Sequence, residues 1–215
     1  MSGTENGQAA DEPPAARVPA VSGTGIPIRG NDIDTDQIIP SRFMKVVTFE
    51  GLGQYAFYDQ RIEEDPHPLE DDRFRTASIM AVNANFGTGS SREHAPQALM
   101  RWGIEGLIGE SFAEIFRGNC LALGLPTVTT DSETVTEIQD WIEANPDEDI
   151  EIDVEDATVS YGDTTIDVEI DDSQQRALTE GTWDTTAVMK ANFERVRDRA
   201  QSLPYIEDAE IPEQR

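Results

Sequence analysis

The chain has 215 residues, 37% of them hydrophobic, and its 43 acidic side chains against 16 basic ones leave a formal net charge of -27. That length buries a sizeable core in one large domain, and the charge excludes a nucleic-acid partner, whose phosphates call for the opposite sign. The single cysteine, Cys120, excludes an internal disulfide and any multi-cysteine metal or iron–sulfur site.

No apolar run approaches the length of a membrane span, and the N-terminal stretch lacks the basic-then-apolar layout of a signal peptide. A soluble, cytoplasmic protein is expected. The acids are spread along the whole chain, and Lys45 and Lys190 are its only lysines. This pattern suits a folded protein in high salt. Screening there weakens self-repulsion, and carboxylates keep the surface hydrated. Cys120 is expected to be a small buried apolar residue.

In chain order, residues 1–22 are rich in Ala, Pro, Gly and Glu and read as a disordered acidic tail. Residues 23–206 read as a single domain, and 207–215 as a loose C-terminal tail. A strand-like run, "GTGIPIRG", leads into "NDIDTDQIIPSRFM". Residues 48–75 are mixed, with "EEDPHPLEDD" as an exposed acidic loop. "ASIMAV", Ala77 to Val82, is continuously apolar and predicts a buried strand. "SREHAPQALMRWG" predicts a helix that Gly103 stops. "IEGLIGE" is a second short buried strand.

"SFAEIFRGNCLALG" predicts a helix, with Ser111 and Glu114 at capping-box spacing and Gly124 after its last turn. "LPTVTT" is a strand. A helix follows that starts at Asp131 or Ser132 and stops before Pro146. "DIEIDVEDATVSYGDTTIDVEI" alternates apolar and polar residues and reads as a β-hairpin turning at Tyr161–Gly162–Asp163. "DDSQQRALTEG" and "TTAVMKANFERVRDRAQ" are helical. Strand–helix alternation in the middle predicts a mostly three-layer α/β core with antiparallel additions at its ends.

The turn after "ASIMAV" is "NFGTGSSREH", Asn85 to His94. Ligands bind where the strands of an open α/β sheet end. A helix start adds unpaired N–H groups and partial positive charge. With Ser90 and Ser91 near the N-cap and Arg92 in the first turn, the stretch reads as an anion receptor. Gly87 and Gly89 let the backbone come close to a ligand. Ordinary capping by either serine, with Arg92 on the surface, is the competing reading.

The turn lacks the Gly-Lys-Ser/Thr of a P-loop. It lacks the last glycine of a dinucleotide fingerprint and the second glycine of a nucleophile elbow. Ser90 and His94 are four apart and can share a helix face, which leaves a Ser–His hydrolase open. Packing of His94 against a neighbouring element is the expectation. A second polar cluster is "DIDTDQIIP". In an extended strand Asp34 and Asp36 share a face. They can position a base, bind a metal, organise an arginine, or serve only as turn and surface charges.

"DIDTDQIIP", "NFGTGSSREHAPQAL" and "SFAEIFRGNCLALGLP", in this order, resemble the small subunits of the 3-isopropylmalate dehydratases, the isopropylmalate isomerases. Those subunits correspond to the swivelling domain of aconitase. The likeness runs from about Gly25 to about Ile206, and the insert between Met44 and Arg75 is similar to the bacterial type. The resemblance implies an aconitase swivel-like three-layer β/β/α core with antiparallel β additions and C-terminal helices. It matches Ser90 to the serine base of the superfamily, which takes the proton beside a carboxylate. Ser91 and Arg92 match substrate-carboxylate contacts, and Asp36 an active-site aspartate. "IIPSRFM" lies where substrate is read, so Ile38, Ile39, Arg42 and Met44 form the candidate specificity loop.

Family enzymes use a [4Fe–4S] cluster held by three cysteines. With Cys120 alone this chain holds none, so the resemblance implies a large, cluster-bearing subunit as partner and a small dicarboxylate as substrate. The implied reaction is the isomerisation of 2-isopropylmalate to 3-isopropylmalate through isopropylmaleate, in leucine biosynthesis. Small subunits of hydro-lyases for homoaconitate, citraconate or 2,3-dimethylmalate fit as alternatives, and so does a non-catalytic anion-binding module.

Overall fold

The computed structural model describes residues 15–45, 48–63, 66–90 and 92–203. Its elements in chain order are β1 (Ala20–Ile28), α1 (Thr35–Ile38), α2 (Tyr58–Glu63), β2 (Ile79–Val82), α3 (His94–Trp102), β3 (Gly106–Gly109), α4 (Glu114–Leu121), β4 (Thr127–Thr129), α5 (Ser132–Ala144), β5 (Asp149–Asp153), β6 (Thr158–Tyr161), β7 (Thr164–Asp167), α6 (Asp172–Glu180), α7 (Thr185–Ala191) and α8 (Phe193–Gln201). Short 3-10 turns at 41–43, 52–55, 68–70 and 72–74 occupy the insert between α1 and β2. No helix among the described residues is long and apolar enough to cross a membrane.

Strand β1 joins two kinds of sheet. The seven strands run in the order β4-β3-β2-β1-β5-β6-β7. The second half of β1 pairs in parallel with β2, Gly25 opposite Ile79 and Ile28 opposite Val82. Its first half pairs antiparallel with β5, Ala20 opposite Asp153. The sequence pattern follows this division. β2 ("IMAV") and β3 ("GLIG") are buried at every residue, because both faces of the parallel part are covered; on one of them Val21 of β1 and Ile152 of β5 lie over β3, each 2.8 Å from where a Cβ on Gly106 would stand. β5 ("DIEID") alternates exposed and buried, because one face of the antiparallel part meets water. The α/β class, the antiparallel additions and the C-terminal helices are as the sequence implied.

Helix α5 buries Val135, Ile138, Gln139 and Ile142, a stripe at helical spacing, and meets β1 through Gln139 and Ile142. Gly25 permits the close approach, since a Cβ there would stand 2.7 Å from Ile142 Cγ1. Asp131 caps the helix, accepting from the Thr134 N–H at 3.0 Å. Helix α3 presses on the 52–55 turn, where a Cβ on Gly53 would lie 2.4 Å from the Arg101 carbonyl carbon. Fully buried Ile, Leu and Phe side chains of this kind each stabilise a fold by about 1.5–3 kcal/mol.

Several local expectations change. β1 begins at Ala20, inside the stretch assigned to the N-terminal tail, and Val18 already donates to the Leu178 carbonyl. The Ser111–Glu114 capping box does not form. Ser111 Oγ instead accepts from the Asn85 N–H at 2.8 Å, and Ala113 stands at the N-cap of α4 without a side-chain cap. The expected hairpin is a three-stranded meander, β5-β6-β7, because a further turn between Asp153 and Thr158 divides its first arm. The last helical run breaks at Asn192, which ends α7 and starts α8. The C-terminal tail, 207–215, lies outside the described residues.

The loop "EEDPHPLEDD" is not merely exposed: His67 and Leu69 are buried. His67 Nδ1 accepts from the Leu69 N–H at 3.1 Å, and its ring centroid lies 5.5 Å from that of Phe57. Burial, followed by the Arg61 charge, pushes its pKa down to about 4. The imidazole is therefore neutral in the native state. Because the folded pKa lies below the unfolded value of 6.5, this contribution is full above pH 6.5 and is lost as pH falls toward 4. The expected loss is about 3 kcal/mol, read as the gap between wild type and His67→Gln in urea midpoints from pH 7 to pH 4. A gap that does not change over that range would show that His67 is not the titrating group.

Candidate functional site

Beyond the ends of the parallel strands, the chain keeps their order for one more step. The segment 86–88 follows β2 and runs between 33–35, which follows β1, and 111–113, which follows β3. Gly87 N donates to the Ile33 carbonyl at 2.8 Å and Thr35 N to the Thr88 carbonyl at 2.9 Å. On the other side Phe86 N donates to the Ser111 carbonyl at 3.0 Å and Ala113 N to the Phe86 carbonyl at 2.9 Å. The Gly-rich turn is thus held on both flanks by backbone bonds, beyond the carboxyl ends of the parallel strands, where ligands usually bind.

Phe86, Phe112 and Phe116 support the turn from below, with Phe86 and Phe116 edge-to-face at 5.4 Å. Gly87 has φ +78°, and a Cβ there would meet Phe116 Cγ at 2.2 Å. Only glycine combines that conformation with that approach.

The turn opens on a cavity of 230 Å³. Thr35, the 87–90 loop and Arg92 form one side; residues 113–116 and Asn119 form the other. That volume suits a small acid rather than a nucleotide. A larger apolar groove, 750 Å³, runs along α7 and α8; Arg195 and Arg199 line it, but among the described residues no hydroxyl does.

Ser90 is exposed beside this cavity. The expectation that it sits at a helix N-cap is corrected: α3 begins at His94, and Glu93 is its N-cap. The turn passes through left-handed glycines at 87 and 89 and is bonded to 33–35, and the helix begins only after it. The helix start that does face the cavity belongs to α4. Its first helical bond runs from Arg117 N to the Ala113 carbonyl, so the N–H groups of Glu114, Ile115 and Phe116 have no partner within the helix. The donors expected from α3 are offered by α4.

Asp34 and Asp36 do not share the face of a strand. Asp34 caps α1 in a reciprocal box with Gln37: the Gln37 N–H donates to Asp34 Oδ1 and the Asp34 N–H to Gln37 Oε1, each at 2.8 Å. Asp36, in the first turn of α1, forms an ion pair with Arg92. Arg92 is the less exposed partner, 23% against 52% for Asp36. The fold therefore brings Asp36 together with Ser90 and Arg92 from distant segments, Asp36 and Arg92 standing 56 residues apart in sequence. Ser91 lies outside the described residues.

The candidate specificity loop is corrected in part. Ile38 and Ile39 are fully buried in the core, because the single turn of α1 directs them inward. Arg42 is held by Asp59 at 2.9 Å, with its guanidinium over the Phe43 and Tyr58 rings. Met44 is half-buried against the core. The exposed apolar side chain at the cavity is instead Ile115. Ile115 and Asn119 were not singled out from sequence, although their four-residue spacing on a predicted helix was the available signal.

His94 packs edge-on against Phe49, ring centroids 5.2 Å apart. Ser90 precedes its helix, so the shared-face geometry of a Ser–His hydrolase does not arise. Cys120 is fully buried, and burial raises its thiol pKa well above the usual range. One inert thiol does not fit the three-cysteine ligation of a [4Fe–4S] cluster. Among the described residues, no group of three or more His, Cys, Asp or Glu is placed to hold a metal ion.

Residues 15–133 match the family model for the aconitase C-terminal domain. The 3-isopropylmalate dehydratase small subunit of one Thermus thermophilus strain is 49% identical over 189 residues, 86% of this chain and 94% of that protein. The small subunit of Synechocystis is 44% identical over 192 residues, 89% and 96% of the two chains. Among solved structures, 3-isopropylmalate dehydratase from Methanocaldococcus jannaschii superposes with a TM-score of 0.63 over 83% of this chain and 99% of its own, at 22% identity, a likeness of fold.

Proposed function

Because the chain belongs to the aconitase C-terminal domain family, among the 3-isopropylmalate dehydratase small subunits, we propose that it is the small subunit of the hydro-lyase that interconverts 2-isopropylmalate and 3-isopropylmalate through isopropylmaleate. It serves leucine biosynthesis. The observation that carries this reading is likeness to named small subunits along nearly their whole length. The cavity fits it, with Ser90 and Arg92 among the residues that line a space the size of a small acid.

The residues act as follows in this reading. Arg92 and the free N–H groups at the start of α4 receive a substrate carboxylate. Ser90 takes the proton from the carbon beside that carboxylate. The electron pair left on that carbon forms the carbon–carbon double bond as the hydroxyl departs from the neighbouring carbon. Returning the proton and hydroxyl to exchanged carbons gives the isomer. Serine serves as a base only where its alkoxide is stabilised, which Arg92 and the α4 dipole supply. Asp36 keeps Arg92 in place and tempers its charge. The iron–sulfur cluster belongs to the large subunit, which docks against this cavity.

The experiment is reconstitution with the large subunit and assay on 3-isopropylmalate, homoaconitate, citraconate and 2,3-dimethylmalate in parallel. Turnover of 3-isopropylmalate at the highest kcat/KM is expected. Preference for one of the other acids would reassign the substrate. Failure to bind a large subunit would instead favour a stand-alone anion-binding module.

A further inference from the structure

The structure assigns a positioning role to Thr35: its hydroxyl holds the backbone of Ser90 so that the serine hydroxyl faces substrate. The assignment rests on Ser90 being the base in the reading above.

Thr35 is 2% exposed and is the first residue of α1, between the cap Asp34 and the ion-pairing Asp36. It touches the serine turn twice. Its backbone N–H donates to the Thr88 carbonyl at 2.9 Å, and its Oγ1 donates to the Ser90 carbonyl at 3.1 Å. Between these two bonds lies Gly89, at φ +95°, whose absent Cβ would stand 3.5 Å from Thr35 Oγ1. A turn that passes through glycine in the left-handed region has few restraints of its own. The backbone bonds of 86–88 end at Thr88. From there to Arg92, whose side chain Asp36 holds, the Thr35 hydroxyl is the restraint on Ser90 among the described residues.

The same short helix therefore presents Asp36 to Arg92 and fixes the residue that carries the base. Thr35 and Ser90 are 55 residues apart in sequence, yet two parts of the site share one rigid anchor. The capping box of Asp34 and Gln37 fixes that anchor in turn. Catalytic geometry is steep in position: misplacement of a reacting group by about 1 Å costs about a hundredfold in rate. A valine at position 35 keeps the shape of threonine but leaves the Ser90 carbonyl without its donor.

The test compares Thr35→Val and Thr35→Ser small subunits, each assembled with the large subunit and assayed per assembled heterodimer. Thr35→Val is expected to lower kcat by about tenfold or more with KM changed less than about threefold, and Thr35→Ser to stay within about threefold of wild type. In a Ser90→Ala background, Thr35→Val is expected to cause no further loss, because the residue it positions is gone. Wild-type kcat in Thr35→Val would overturn the assignment. So would an equal loss with and without Ser90, or a loss that Thr35→Ser fails to rescue. Should Thr35→Val not assemble, Thr35→Ala takes its place under the same criteria. An inactive wild-type heterodimer would overturn the function itself, which keeps the two failures apart.

Discussion

Ser90→Ala is expected to lower kcat of the reconstituted two-subunit enzyme by about 10³-fold, with folding, assembly and substrate affinity nearly unchanged. The expectation separates chemistry from structure because Ser90 is exposed and its carbonyl, rather than its hydroxyl, is what Thr35 holds. Alanine keeps that carbonyl and fits any space serine fits. The helix dipole, Arg92 and the partner subunit remain to bind substrate, so KM should move by less than a factor of about three. Cysteine at the same position offers a second reading, since a thiolate forms far more readily than an alkoxide. Near-normal turnover by Ser90→Ala would remove Ser90 from the role of base and leave it as a polar wall of the cavity.

Gly87→Ala is expected to be the most damaging small substitution at the site, costing about 2–5 kcal/mol of stability. Two effects add. The backbone at φ +78° disfavours any side chain, and a Cβ would stand 2.2 Å from Phe116 Cγ. Phe116 cannot yield easily, because it is buried between Phe86 and Phe112. Gly89→Ala is the informative comparison. Its φ of +95° is equally unfavourable, yet a Cβ there finds contacts no closer than 3.5 Å. It should therefore lose only the conformational part, about 1–2 kcal/mol. Thermal melts of the two variants measure the difference, and equal losses would mean that the Phe116 clash is relieved by local movement.

Much of the architecture was legible from local pattern. "IMAV" and "GLIG" are short, apolar without alternation, and followed by helices, which is how a covered parallel strand reads. The residues from Asp149 to Asp153 alternate, which is how a strand with one wet face reads. Asp131 announced α5 and Gly103 ended α3. Where expectation and structure part, long-range bonds override local preference. Ser111 has the spacing of a capping box, yet its hydroxyl is taken by the Asn85 N–H across the sheet edge. Ser90 has the look of an N-cap, yet its turn is bonded to the neighbouring 33–35 segment and the helix begins only at His94. Ile38 and Ile39 follow an active-site motif, yet one helical turn points them into the core.

The sequence by itself determined the chemistry on offer: a Gly-rich turn with a serine and an arginine, a pair of aspartates, and one cysteine where a cluster needs three. These are facts of composition and spacing, and no folding changes them. Tertiary structure alone decided which of those groups meet. It sends Asp34 to a helix cap and Asp36 to Arg92, and it supplies the helix start from α4 instead of α3. It also places Thr35 against the backbone of Ser90. The reason is that each of these contacts joins segments side by side at the end of a parallel sheet. Strand order and register decide such neighbours, and neither is written in the spacing of residues along one strand.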